Sequence, residues 1–395
     1  MEFRLPKIFA RPPEQKASRA QALFALFAEA KPYWSPKNIS DLAREGYAKN
    51  PVAYRCVRTI AEAVASLPLA MYDGLRELDR HPLLGLLARP NPRETRADFL
   101  EAVASHLLVA GNSYIELVAI AGEPRELYAL RPDRMKVVSG REGWPEAYEY
   151  SVAGKSVRFE MQETEGASPP ILHIKLFNPA DDHYGLSPLE AAHRALDIHN
   201  AASGWNKALL DNAARPSGAL VYAGADGAVL TGAQHERIKQ AFSEQYQGAA
   251  NAGRPLVLEG GLDWKPMSLT PRDMDFLEAK HAAAREIALA FGVPPMLLAI
   301  PGDNTYANYQ EAHRAFWRQS VLPLAARIAC ALTNWLAPAF GDGLVLAADT
   351  DRVEALSSDR AALWERVSNA TFLTVNEKRL ATGYGVVDGG DVFAR

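Results

Sequence analysis

The chain has 395 residues, 48% of them hydrophobic and 23% charged, which suits two or three packed units whose core needs no disulfide or metal staple. A net charge of −4, from 43 basic and 47 acidic residues, lacks the basic excess of a protein that grips nucleic-acid phosphates. No apolar run approaches the ~20 residues that span a bilayer, and the basic N-terminus MEFRLPKIFARPPEQKAS lacks the apolar stretch of a secretory signal, so a cytoplasmic origin is expected.

Pro6, Pro12, Pro13, Pro32 and Pro36 interrupt residues 1–40, which are expected to form a mobile arm; within it QALFALFAEA reads as a docking segment or a weak helix. The first firm helix opens at Asn50-Pro51, a favoured cap followed by proline at the first helical position. Ala53, Val57, Ile60, Val64 and Leu67 then form one apolar face, and Pro68 ends it. LAMYDG reads as a strand and turn. Thr95 and Asp98 open a second helix that Gly111 closes. SYIELVAI, LYALRP, RMKVV, AYEYSV, SVRFEM and ILHIKLF read as strands, so the chain to about residue 180 is an α+β unit.

A helical segment follows, opened by Ser187-Pro188 with Glu190 completing a capping box. Ala191, Ala195, Ile198, Ala202, Trp205 and Leu209 step along one face, and the small residues allow close packing against another helix. Residues 216–270 read as a compact insert: strand GALVYA, helix GAQHERIKQAFSEQY with Thr231 as cap, then strands PLVLEG and LDWKPMSL. A second rod runs from Arg272 to Phe291, its apolar side Phe276, Ala279, Ala283, Ile287 and Ala290, its polar side Asp273, Glu278, Lys280, Arg285 and Glu286. After Gly292 and Pro294-Pro295 comes a loop, then a third long helix in which Pro323 predicts a kink. Two short helices close the chain, the second with Thr374 and Glu377 as a capping box. Cys56 and Cys330 fall in helical patterns outside any metal-binding spacing and are expected as buried, reduced thiols.

Chemistry-bearing patterns are thin. Asp181-Asp182-His183 suits a metal site less well than a polar loop ahead of the Ser187 cap. His193 and His199 are six apart, poor spacing for one helical face. Ser187 lacks the G-x-S-x-G setting of a nucleophile, and the pairs Gly260-Gly261 and Gly389-Gly390 belong to no phosphate loop. No catalytic residue, metal ligand or cofactor site is assigned. The loop Ile300, Pro301, Gly302, Asp303, Asn304, Thr305, Tyr306 fits equally a plain helix connection and a flexible loop projected by two rods.

NPVAYRCVRTIAEAVASLPL, LLVAGNSYIEL with LRPDRMKV, GLSPLEAA, GWNKALLDNAARPSGAL, FLEAKHAAAREIALAFGVPPMLLAIPGDNTYANYQEAHRAFW and LTVNEKRLATGYGVVDGGD occur in one order. Together they resemble the portal protein family of long-tailed phages with a lambda-like head, over residues 40 to 392. The resemblance implies a ring of about twelve copies at one capsid vertex, through which double-stranded DNA is packaged and ejected. It implies an α+β wing over 41–186, stem helices over 187–215 and 272–292 flanking a small α/β clip over 216–271, and a tunnel loop over 293–307. It further implies a kinked tunnel helix over 308–338 and a short helical crown over 339–395. The terminase packaging motor, a head–tail adaptor and the major capsid protein are the implied partners, in an infectious phage, a prophage remnant or a gene transfer agent alike. The charge agrees, because a near-neutral or acidic wall lets a duplex slide. Lys280 and Arg285 among Glu278 and Glu286 supply either thin basic bands facing the tunnel or ordinary ion pairs between subunits. An enzyme using Asp181–His183 and a monomeric adaptor are the competing readings.

Overall fold

The computed structural model describes residues 42–140, 144–161, 167–211, 218–222, 233, 236, 237, 240, 262–266, 276–302 and 306–393. The expected N-terminal arm lies outside them. A π-helical segment, Leu42–Ala48, leads into α1 (Pro51–Ser66). The side chain of Asn50 caps α1 by accepting from the backbone N–H groups of Val52 and Ala53 at 3.0 and 3.1 Å. The face Ala53, Val57, Ile60, Val64 is buried, as its spacing requires, with Leu67 beside it. β1 (Leu69–Asp73) and β2 (Arg76–Glu77) turn at Gly74, then α2 (Pro82–Ala88) follows. α3 (Arg96–Ala110) has the reciprocal Thr95/Asp98 capping box and ends at Gly111 in the left-handed region, φ +71°.

All six expected strands form: β3 (Asn112–Ile120), β4 (Glu123–Leu130), β5 (Met135–Ser139), β6 (Pro145–Val152), β7 (Lys155–Glu160) and β8 (Ile171–Lys175). They make two antiparallel sheets, ordered β4-β3-β8 and β5-β6-β7. Tyr114, Met135, Val137, Tyr148 and Ile171 form a small core that joins the two. The main core sits between α1, α3 and the face of β3, and later helices complete it.

The segment after Ser187 is not one continuous rod. α4 (Pro188–Ala191) stops at Ala192 and α5 (His193–Asp211) restarts. Glu190 does not complete a capping box. The Ser187 hydroxyl instead donates to the carbonyls of Leu108 and Val109 at 3.1 and 2.8 Å while accepting from Leu189 N–H at 3.0 Å, which pins α4 to the end of α3. β9 (Gly218–Tyr222) and β10 (Leu262–Pro266) pair antiparallel. Strand 255–260 and most of helix 232–246 of the expected insert lie outside the described residues. α6 (Phe276–Ala290) packs along α5.

The third rod contains a π-helical turn where a simple proline kink was expected. α7 (Tyr306–Phe316) runs through the π turn Trp317–Val321 into α8 (Leu322–Phe340). Leu322 N–H bonds to Trp317 O, five residues back, so the wide turn precedes Pro323, which has no N–H to give. By length and apolarity this run is long enough to cross a bilayer, which the sequence pattern did not suggest; half of its most apolar stretch is buried. Ala325, Ile328, Ala329, Leu332 and Leu336 enter the main core, and Trp335 Nε1 donates to Pro169 O at 2.8 Å. Cys330 lies off that stripe and is exposed, contrary to expectation, whereas Cys56 is buried.

β11 (Leu344–Ala348) returns to pair antiparallel with β1, from Leu69↔Ala348 to Asp73↔Leu344. Residues 344–348 of the segment expected as the crown therefore belong to a sheet shared with β1 and β2 of the N-terminal α+β unit. α9 (Ser357–Ser368) and α10 (Val375–Ala381) follow, α10 with the Thr374/Glu377 box.

Candidate channel-lining site

The loop between α6 and α7 is fixed at its root. Gly292 ends α6 with φ +66°, and Val293 N–H returns to Ala288 O at 2.9 Å. A 3₁₀ turn, Pro295–Leu298, follows, and Ala299 takes φ +56°. Ile300 is buried against Ala284 and Ala288 of α6. The Arg285 guanidinium donates to the carbonyl of Pro301. Pro301 and Gly302 are exposed. Asp303, Asn304 and Thr305 lie outside the described residues, and Tyr306 is the first residue of α7, not a loop residue. The base of the loop is thus fixed by Ile300 and by Arg285.

The charged face of α6 is divided. Glu278, Arg285 and Glu286 are exposed, Arg285 bending back to the loop, while Lys280 is partly buried and acts electrostatically on His199 of α5. Among the described side chains of α6, Ala283, Ala284, Ile287 and Ala288 are buried; that of Phe276 lies outside them. Ala279, expected on the apolar side, is exposed, and so are Leu277 and Leu289, which sequence reasoning did not single out. Asp273 lies outside the described residues.

The small-residue seam on α4 and α5 also divides. Ala195 and Ala202 are buried, whereas Ala191, Ile198 and Trp205 are exposed in the single chain; Leu209 stands in the last turn of α5. The buried stripe is Ala192, Ala195, Leu196, His199 and Ala202. His199 Nδ1 accepts from Asn50 Nδ2 at 3.1 Å, a contact between residues 149 apart that carries no sequence signal.

Asp181-Asp182-His183 forms a turn. Asp181 Oδ1 accepts from the backbone N–H of His183 and Tyr184 at 2.7 and 2.9 Å, and the Tyr184 bond foremost holds its carboxyl below the usual range. His183 Nε2 pairs with Ser139 Oγ at 2.9 Å. Among the described residues, no group of three or more His, Cys, Asp or Glu is placed to hold a metal ion.

Two helices packed side by side, α5 and α6, a pair of antiparallel strands between them in the chain, and a loop anchored at its root are thus what the described residues bring together. The family model for phage portal proteins matches residues 51–383. An uncharacterised protein of Rickettsia bellii is 42% identical over 349 residues, 88% of this chain and 90% of that one. The portal protein of Enterobacteria phage HK97 is 26% identical over 87% of this chain and 80% of its own length. A chain in the neck of an empty gene transfer agent particle, computed with C6 symmetry, is 53% identical, with a TM-score of 0.70 over 92% of this chain and 99% of that one. A chain in the neck of the native particle, computed with C12 symmetry, is 52% identical, with a TM-score of 0.67 over 92% and 99%.

The chain belongs to the phage portal protein family. Its α+β architecture is the portal fold, and its role is that of a structural, channel-forming component at the portal vertex of a virus-like particle, not that of an enzyme.

Proposed function

We propose that about twelve copies of this chain close into a ring through which double-stranded DNA enters and leaves a capsid. The likeness over almost the whole chain to subunits of particle necks with C6 and C12 symmetry carries this reading. The particle is of the gene transfer agent kind, since the similarity to that neck reaches 53% identity.

In this reading 41–186 is the wing, α4–α5 and α6 are the stem helices, and the 216–271 insert is the clip on which the packaging motor and head–tail adaptor dock. Residues 293–307 form the tunnel loop, 308–338 the helix behind it and 339–395 the crown, with the major capsid protein meeting the outer surface. The net charge of −4 per chain supports a sliding conduit, because an acidic ring does not hold phosphates.

Native mass spectrometry of the purified chain, with negative-stain images of the same sample, is the test. A ring of about twelve subunits with a central hole supports the reading. A protein that stays monomeric both alone and when co-expressed with its capsid protein overturns it.

A further inference from the structure

Asn50 serves two elements at once. Its Oδ1 caps α1 through Val52 and Ala53. Its Nδ2 contacts Nδ1 of His199 at 3.1 Å and donates to Oδ1 of Asn200 at 2.9 Å, both on α5. Asn200 extends the link, its Nδ2 donating to the carbonyl of Glu45 at 3.0 Å. Asn50 is 1% and His199 4% exposed, so water is not at hand to replace a lost partner.

This geometry fixes the state of the imidazole. The Asn50 amide cannot turn over, because its oxygen already accepts two backbone N–H groups. Its nitrogen therefore faces His199, and Nδ1 must offer a lone pair, with the ring neutral and its proton on Nε2. An imidazolium would set an N–H against an NH₂ group.

Among the described residues, no acid stands ready to stabilise that cation. From α6 comes Lys280, whose charge opposes it. From the π-helical segment comes Glu45, already paired with Arg44 at 3.1 Å and Lys49 at 2.9 Å. Tyr54 and Arg55, in the first turns of α1, are exposed. On α5 itself, the positions three and four residues away are Ala195, Leu196, Ala202 and Ser203, none of which titrates.

We propose that Asn50 and His199 form a pH-sensitive joint: it holds α5 on α1 while His199 is neutral, and protonation of His199 opens it. Burial first, then Lys280, holds the His199 pKa below the usual histidine range. The joint's contribution is therefore complete above about pH 6.5 and drains away as the pH falls below that value. The inference stands on these contacts and not on the portal reading; if both hold, acid loosens the first stem helix from the wing.

Hydrogen exchange of the full chain across about pH 5–8, the range in which histidine changes charge, tests this. The readout is the protection of peptides covering 50–56 and 193–203 relative to α8, which contains no histidine. In the wild type this ratio falls with acid by up to about tenfold per pH unit, the slope of one proton. His199→Asn keeps a neutral acceptor near Nδ1 and gives a flat ratio. Asn50→Asp keeps the cap and offers an acceptor to the imidazolium, so its ratio rises with acid. A wild-type ratio that does not change, or a His199→Asn ratio that falls in step with wild type, overturns the proposal. If Asn50→Asp fails to fold, the comparison of wild type with His199→Asn still decides. Effects of other histidines are shared by both proteins and cancel.

Discussion

The hydroxyl of Ser320 donates to the carbonyl of Gly292 at 2.6 Å, fastening the π turn of the long helix to the end of α6. The base of the loop is thereby held from two sides, by α6 through Ile300 and Arg285 and by the π turn through Ser320. A Cβ on Gly292 would lie 2.7 Å from Ser320 Oγ, on a backbone of φ +66°. Gly292→Ala is expected to lower stability by about 1–3 kcal/mol in urea unfolding. Adding Ser320→Ala removes the clash but not the backbone strain, so the double variant recovers only part of the loss. A neutral Gly292→Ala would contradict this packing.

Gly111 and Gly185 meet backbone to backbone. A Cβ on Gly111 would lie 2.4 Å from Gly185 O, and one on Gly185 would lie 2.1 Å from Gly111 O. Neither neighbour is a side chain that can swing aside. Alanine at either position is expected to cost about 2–4 kcal/mol, seen as a fall in thermal midpoint, and the two losses should not add.

His106 and His173 are kept neutral by burial, which pushes their pKa values down to about 4 and about 3. His173 stacks on Tyr114 at 4.3 Å and pairs through Nε2 with Asn112 Oδ1 at 3.0 Å. Both folded-state values lie below the unfolded value near 6.5, so stability should be full above about pH 6.5 and decline as the pH falls through about 4 and on to about 3, by on the order of a few kcal/mol in all. Thermal midpoints measured against pH should show this decline, and His173→Gln should make it shallower.

Deleting residues 302–306 shortens the connection between the Ile300 anchor and α7, taking the first residue of α7 with it, and leaves the Ile300 anchor and the Ser320 bond in place. Ring assembly is expected to survive while DNA packaging or retention falls. Normal packaging with this deletion would remove the loop from the transport role.

Asn376 holds the C-terminal tail. Its Oδ1 accepts from Val387 N–H at 2.9 Å, and its Nδ2 donates to Val387 O at 3.1 Å and Asp391 Oδ1 at 2.8 Å. Asn376→Ala should free residues 384–393 to proteases while α8 stays resistant. Limited proteolysis with mass spectrometry reads the difference.

Local rules carried much of the fold in the sequence. Asn50-Pro51, Thr95/Asp98 and Thr374/Glu377 each announce a helix start through groups within three residues, and each start is found. Non-local pairings were not legible. β11 joins β1 across most of the chain, and Asn50 reaches His199, with no pattern in one dimension to mark either. Ser187 shows how a local rule is overridden, since the carbonyls at the end of α3 engage its hydroxyl and the expected box with Glu190 does not form. Of the candidate site, the polarity of Glu278, Arg285 and Glu286 was visible. The partial burial of Lys280 near His199 was not, because it depends on where α5 lies.

The unequal exposure of the two cysteines has a practical consequence. Burial pushes the Cys56 thiol up to about 12, so it carries almost no thiolate at neutral pH, while Cys330 stands on the open side of α8. A maleimide dye should therefore attach once per folded chain, at a defined place on the long helix. The native protein thus carries its own address for a distance-sensitive fluorophore, and the dyes counted on an assembled particle report how many copies leave that side of α8 open.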